Sequence, residues 1–174
     1  MYFLCTLNQN LYVSPKLFNK KIKKSLVGNL LSSVEGTKAG PFGLIIMITE
    51  IFDNWGEGKF LIGCPSALYC LTYKALTFRA FKGEVFDAVV TQVTNLGFFS
   101  EAGFLQIFVS KKQIPIFFKY NQNKRTFFNQ LEQKESISTN STIRVRVVSI
   151  KEESSFNQAL GSIKGKKLGL LEQY

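Results

Sequence analysis

Gly83-Glu84-Val85-Phe86-Asp87-Ala88-Val89-Val90-Thr91-Gln92-Val93, then Leu96-Gly97-Phe98-Phe99, then Phe104-Leu105-Gln106-Ile107-Phe108-Val109: this stretch decides the fold of the C-terminal half. Val85 to Val93 is rich in β-branched residues and reads as a strand. Leu96-Gly97 interrupts it, and a glycine inside a strand pattern marks a turn or bulge into a second strand. Glu101-Ala102-Gly103 turns the chain again. In the third strand Leu105, Ile107 and Val109 alternate with Gln106 and Phe108, the period of two that a half-buried strand requires. Downstream, Lys119 to Thr142 is polar and reads as a long connection with one helical turn around Thr126 to Leu131. Ile143, Val145 and Val147 then alternate with Arg144 and Arg146, a fourth strand, and Phe156 to Ile163 is a fifth. Five short strands with the long connection between the third and fourth fit a Greek-key OB barrel.

Upstream of Gly83 the pattern changes. Tyr2 to Val13 reads as a short strand and turn. Ser14-Pro15 is a helix-start signal, with Ser as N-cap and Pro at the first helical position. From Lys16 to Leu31 the apolar Phe18, Ile22, Leu26 and Leu30 recur every four residues, which predicts an amphipathic helix; Lys16, Lys20, Lys23 and Lys24 give it a basic, solvated face. Gly36, Gly40-Pro41 and Gly43 mark a turn. Leu44 to Ile51 reads as a buried strand, Asn54 to Gly58 as a turn, and Phe60 to Ile62 and Leu68 to Phe81 as strands. The expected architecture is α+β: one helix on a small antiparallel sheet over residues 1–79, then a five-stranded OB barrel over residues 80–174.

Composition limits the function. The 174 residues carry a net charge of +10, which favours phosphate polymers or acidic surfaces as partners. Seventeen Phe and six Tyr can fill β-rich cores or stack on bases. There is no histidine, which removes the commonest general base and zinc ligand. The only aspartates are Asp53 and Asp87, so no carboxylate cluster with metal-ligand spacing is visible. Cys5, Cys64 and Cys70 have neither disulfide nor zinc spacing. Met1 to Val13 lacks the features of a signal peptide, and the longest apolar run, Gly43 to Thr49, is far too short to cross a membrane. The expectation is a soluble intracellular protein that is no enzyme, needs no cofactor and binds no metal. A glycine-lysine run from Gly161 to Lys167 fails as a phosphate loop, with three residues between its glycines and Lys167 where a magnesium-binding hydroxyl belongs.

Gly83-Glu84-Val85, Leu96-Gly97-Phe98-Phe99, Val109-Ser110 and Leu160-Gly161-Ser162-Ile163 resemble the S1 class of OB fold. The run Tyr73-Lys74-Ala75 and Phe78-Arg79-Ala80-Phe81-Lys82-Gly83-Glu84-Val85 resembles the family of seventh-largest subunits of eukaryotic RNA polymerase II. Val34-Glu35-Gly36-Thr37, Gly40-Pro41-Phe42-Gly43, Gly56-Glu57-Gly58 and Gln113-Ile114-Pro115 follow that family in order and spacing, so the resemblance covers the chain. It departs at Cys70 and Ala80, where the family usually has proline, and in basic segments at Ser110 to Gln113 and Lys119 to Asn140.

The resemblance implies a non-catalytic stalk subunit in the nucleus. It implies a tip domain that docks on the polymerase core, a heterodimer with the fourth-largest subunit, a role in transcription initiation, and an S1 barrel that meets nascent single-stranded RNA. Stalk subunits of other polymerases and free-standing S1 RNA-binding proteins are the competing classes. Carried onto this chain, core docking falls to Gly40, Pro41, Phe42, Gly43, Gly56, Glu57 and Gly58. Stacking on RNA falls to Phe99 and Phe108 with Phe98 adjacent; neighbours on a strand face opposite sides, so only one of Phe98 and Phe99 is exposed. Phosphate contacts fall to Lys111, Lys112, Arg144 and Arg146. Val34, Phe42, Ile45 and the strand Leu68 to Phe78 are expected to give apolar surface to the partner subunit.

Overall fold

Two stretches of twelve residues pair antiparallel along their whole length, from Tyr2 opposite Phe78 to Val13 opposite Ala67. They are β1 (Tyr2–Val13) and, after α1 (Ile22–Val34), β2 (Leu44–Ile51) and β3 (Lys59–Phe60), the strand β4 (Ala67–Phe78). The computed structural model describes residues 1–18, 22–53, 55, 57–60, 62–63, 65–122, 124–130, 136–151 and 157–171. The chain divides into two units, Met1–Arg79 and Ala80–Tyr174.

In the first unit β4 is central, with β1 on one side and β2 and β3 on the other. The expected short strand and turn at Tyr2 to Val13 is one long strand. Asn8, Gln9 and Asn10 read as turn residues, yet β4 supplies each with a partner in Thr72, Leu71 and Cys70. The helix also differs. Pro15 opens a short 3-10 turn, Pro15–Leu17, in which Ser14 makes no side-chain cap, and α1 begins at Ile22. It continues past Leu31 because Val34 is a third core contact: Leu26, Leu30 and Val34, four residues apart, are all buried. They pack on Leu11, Val13, Ile45, Leu71, Tyr73 and Ala75. Phe18 lies before α1 with its ring edge-on to Phe60, centroids 5.9 Å apart. β2 is not the buried strand its isoleucines suggest. It is an edge strand in which Ile45 alone is fully buried and Met47 is exposed.

In the second unit β5 (Val85–Thr94), β6 (Gly97–Ala102) and β7 (Leu105–Ser110) follow in sequence. Next comes a small sheet, β8 (Phe118–Asn121), β9 (Thr126–Asn129) and β10 (Ser136–Ile137), then β11 (Thr142–Lys151), β12 (Gln158–Ser162) and β13 (Gly169–Leu170). β5, β6 and β7 are antiparallel neighbours, β12 runs parallel to β7, and β11 joins β12 back to β5. That closes a five-stranded barrel of the S1/OB kind. Ile107, Val109, Ile143 and Val145 are inaccessible inside it. Full burial of each such side chain contributes about 1.5–3 kcal/mol before entropy is counted. Gly97 opens β6 at a φ of 151°, and a Cβ there would stand 2.1 Å from the Val109 carbonyl oxygen, so only glycine fits the approach of β6 to β7.

The segment after β7 corrects the sequence reading. Thr126 to Asn129 is a strand in place of the expected helical turn, and Leu131 lies outside the described residues. Phe127 is the cause: fully buried, it meets Phe98 and Tyr120 at centroid distances of 6.5 and 5.3 Å. The fifth barrel strand spans Gln158–Ser162, with Phe156 outside the described residues.

Candidate nucleic-acid interface

Parity on the barrel strands settles which side chains face outward. Leu105, Ile107 and Val109 are buried, so Gln106 and Phe108 lie on the outer surface of β7. On β6 Phe98 is fully buried and Phe99 is half-buried on the outside. Phe98 is therefore a core residue against Phe127, and its place among the RNA-stacking residues is withdrawn. Phe99 and Phe108 are direct cross-strand partners, with ring centroids 4.7 Å apart and planes tilted by 44°. The register continues the row: Phe108 faces Leu160 on β12, and Leu160 faces Ser149 on β11. This row floors a surface hollow of about 310 Å³. The next row carries Glu101 opposite Gln106 and Gln106 opposite Gln158.

The basic residues divide into two groups. Arg144 and Arg146 point outward from β11, between the buried Ile143, Val145 and Val147. Arg144 is engaged by Asp87 on β5: its Nε and Nη2 donate to the two carboxylate oxygens at 2.6 and 2.8 Å. That forked bond lowers the Asp87 carboxyl from its ordinary value, against the opposing effect of burial and with help from the Arg144 charge, and raises the Arg144 guanidinium. Arg146 is exposed and has no ion-pair partner among the described residues. Lys111 and Lys112 lie in a 3-10 turn after β7, where Ser110 Oγ accepts from the Lys112 N–H at 3.2 Å. Ser162 Oγ donates to the Gln113 carbonyl of that turn, and Ser162 is the register partner of Arg146. Arg146, Lys111 and Lys112 thus gather at one end of the barrel. The Phe108–Leu160 row is two residues away along β12, about 7 Å. Arg144 is two residues further off and partly neutralised. Sequence reasoning missed Asp87 because the pairing of β5 with β11 spans 57 residues; it missed Leu160, Gln106 and Gln158 because their alignment depends on β12 being parallel to β7.

In the first unit Gly40–Phe42 forms a 3-10 turn with Phe42 exposed. The Arg79 guanidinium donates to the Pro41 carbonyl, and the Ala39 N–H donates to the Gly43 carbonyl at 2.8 Å. Gly43 has a φ of 88°, and a Cβ there would meet the Phe78 carbonyl oxygen at 2.4 Å. Glu57 is exposed, Gly58 lies under the Tyr69 ring, and Gly56 is outside the described residues. Of the residues expected to face a partner subunit, Val34 and Ile45 are buried in the core, which corrects that reading; Phe42 is exposed. Apolar surface lies instead on the sheet face turned away from α1. There Leu4, Leu76 and Met47 form one row and Tyr2, Phe78 and Leu44 the next, with Tyr2, Leu4 and Met47 exposed.

Among the described residues no group of His, Cys, Asp or Glu could hold a metal ion, and no helix is long and apolar enough to cross a membrane. Residues 79–155 match the S1 RNA binding domain family. The chain is 37% identical over 172 residues to DNA-directed RNA polymerase II subunit rpb7 of Dictyostelium discoideum, covering 98% of this chain and 99% of that one. It is 32% identical over 173 residues to DNA-directed RNA polymerase II subunit RPB7 of Saccharomyces cerevisiae, covering 98% and 100%. Similarity to DNA-directed RNA polymerase V subunit 7 of Arabidopsis thaliana is 30% and shorter, at 87% of this chain and 86% of that one.

Proposed function

The chain belongs to the family of RNA polymerase II subunit 7, and from that premise we propose that it is a nuclear, non-catalytic stalk subunit of the polymerase. In this reading the first unit pairs with the fourth-largest subunit and docks on the polymerase core through the turns at Gly40–Gly43 and Glu57-Gly58. The barrel meets single-stranded nascent RNA, and the assembly supports transcription initiation. The observation that carries the proposal is similarity across both units, nearly end to end, to named polymerase II subunits. A free-standing S1 protein needs the barrel match alone.

The exposed Leu4 and Met47 in one row and Tyr2 in the next support the partner, since contiguous apolar surface on a sheet face marks a protein interaction site. The aromatic pair beside Arg146, Lys111 and Lys112 supports RNA, because stacking plus phosphate contact holds single strands without sequence readout. The test is affinity purification of the tagged chain from nuclei, followed by crosslinking to RNA. Recovery of the fourth-largest subunit and polymerase II core, with crosslinks in residues 80–174, is expected. Purification with another polymerase, or with RNA and no polymerase, would sink the assignment.

A further inference from the structure

We propose that the hollow on the outer barrel surface seats one unpaired nucleobase, and that Gln106 and Gln158 read its edge, so that the barrel prefers some bases over others. The inference rests on the reading of the barrel as an RNA surface and deepens it. Phe99, Phe108 and Leu160 supply the apolar floor of a space of about 310 Å³. Directly alongside, Gln158 Nε2 donates to Gln106 Oε1 at 3.3 Å. The two are register partners on the parallel strands β7 and β12, one row from the Phe108–Leu160 pair. The bond commits one donor and one acceptor. It leaves amide N–H groups on Gln106 and a carbonyl oxygen on Gln158 available at the hollow, and turning both amides over exchanges these roles while keeping the complement. A donor and an acceptor at one site are what the edge of an unpaired base requires, and it is read this way when its face lies on an aromatic ring. Both glutamines are half-buried, so a base presenting the wrong pattern leaves partly desolvated amide groups without partners, and that mismatch is what discriminates.

Stacking and phosphate contact alone would make binding indifferent to base identity; the amide pair is the feature that breaks that indifference. The test measures binding of the full chain to eight-nucleotide RNAs of uniform U, A or C, to one with G at alternate positions, and to one with a central abasic site. The wild-type chain should separate its best and worst bases by at least about fivefold, the low end for a paired amide contact. Gln106→Leu with Gln158→Leu should level the series without changing the salt dependence. Leu160→Trp, which fills the hollow and keeps both amides, should level it too, and it serves if the double variant fails to fold. Equal binding of all sequences by the wild type, or a preference that survives in both variants, overturns the proposal while leaving RNA binding standing. Absence of RNA binding to any oligomer overturns the parent reading as well. A free mononucleotide that competes as strongly as the oligomers would reassign the hollow to a nucleotide ligand and overturn its role in RNA.

Discussion

The two halves of the chain solve the problem of sheet edges in opposite ways. In the second unit β11 closes the barrel by pairing with both β5 and β12, so none of the five strands presents an open edge. In the first unit β1 and β2 flank β4 and no further strand extends the sheet among the described residues; β2 is met on its outer side by the short bridge of Lys38 to Leu44. Apolar side chains show a second difference. The barrel fills a closed interior with Ile107, Val109, Ile143 and Val145 and leaves Val85, Val89 and Leu160 exposed outside, whereas the sheet of the first unit covers one face with α1 and leaves Tyr2, Leu4 and Met47 exposed on the other. Closed sheets need no partner, and open ones with apolar faces attract one. A single chain thus joins a closed barrel to an open sheet with one face uncovered.

The harshest test of this contrast is Gly97→Ala. The added methyl would sit 2.1 Å from the Val109 carbonyl oxygen, against backbone that cannot yield without separating β6 from β7. A loss of about 3 kcal/mol or more is expected, the scale of a strained backbone position combined with a core clash. Thermal melts should show the barrel transition displaced by well over ten degrees. A melt like that of the parent chain would mean that closure is more pliable than the geometry allows.

Next in size is the open face. Leu4→Lys with Met47→Lys places two charges on the exposed row while sparing the buried core of Leu26, Leu30 and Ile45. Affinity for the fourth-largest subunit should fall roughly 30- to 100-fold, as for central apolar contacts of an interface. The chain alone should become less prone to aggregate and keep its melting temperature. Unchanged affinity, measured by calorimetry, would move the partner to another surface.

The same contrast governs what could be read from sequence. The strands of the barrel were legible because Leu105, Ile107, Val109, Ile143, Val145 and Val147 alternate with Gln106, Phe108, Arg144 and Arg146 and all turn inward. The small sheet β8–β10 was not, since Phe127 carries no periodic signal and reveals its burial only through Phe98, a contact across 29 positions of sequence. The same contact decided between Phe98 and Phe99. Parity along β6 depends on where the preceding turn ends, and composition cannot fix that. In the first unit, the four-residue spacing of Leu26, Leu30 and Val34 carried the helix, but Ser14-Pro15 misplaced its start because proline at that position opens a 3-10 turn as readily as an α-helix. The candidate phosphate contacts were legible as a type of residue. Their inequality was not, because it comes from Asp87 on a strand far away in sequence.

Within the barrel, Phe108→Ala sharpens the division between aromatic and basic contacts. Loss of one stacked ring contributes roughly 1–3 kcal/mol per base. Affinity for single-stranded RNA should therefore drop about 5- to 150-fold, with the slope of affinity against salt unchanged because no charge is removed. A flatter slope in this variant would show that the ring acts by placing the basic end of the barrel.

The smallest expected effect separates the two arginines. Arg146 is exposed and unpaired among the described residues, whereas Arg144 is held in a fork by Asp87. Arg146→Ala should weaken RNA binding for every sequence and reduce the salt slope by about 0.7, the value for one phosphate contact on a single strand. Arg144→Ala should do less, because its charge is already balanced. Asp87→Asn then gives the opposite sign: it releases Arg144, so affinity should rise a few-fold and the slope should steepen. Acid offers a second route to the same release. The Asp87 carboxyl is depressed by Arg144, so the ion pair stabilises the fold above the unfolded carboxylate pKa, and that stabilisation is lost as pH falls through the lower folded value. Both side chains are more than a third exposed, which screens the pair and keeps its contribution to stability small. The informative measurement is therefore the carboxyl titration of Asp87 by NMR. Its midpoint should lie below that of a model aspartate and return toward it in Arg144→Ala. If Arg144→Ala and Arg146→Ala weaken RNA binding equally, and Asp87→Asn leaves it unchanged, the fork does not restrain Arg144 in solution and the two arginines form a single phosphate-binding face.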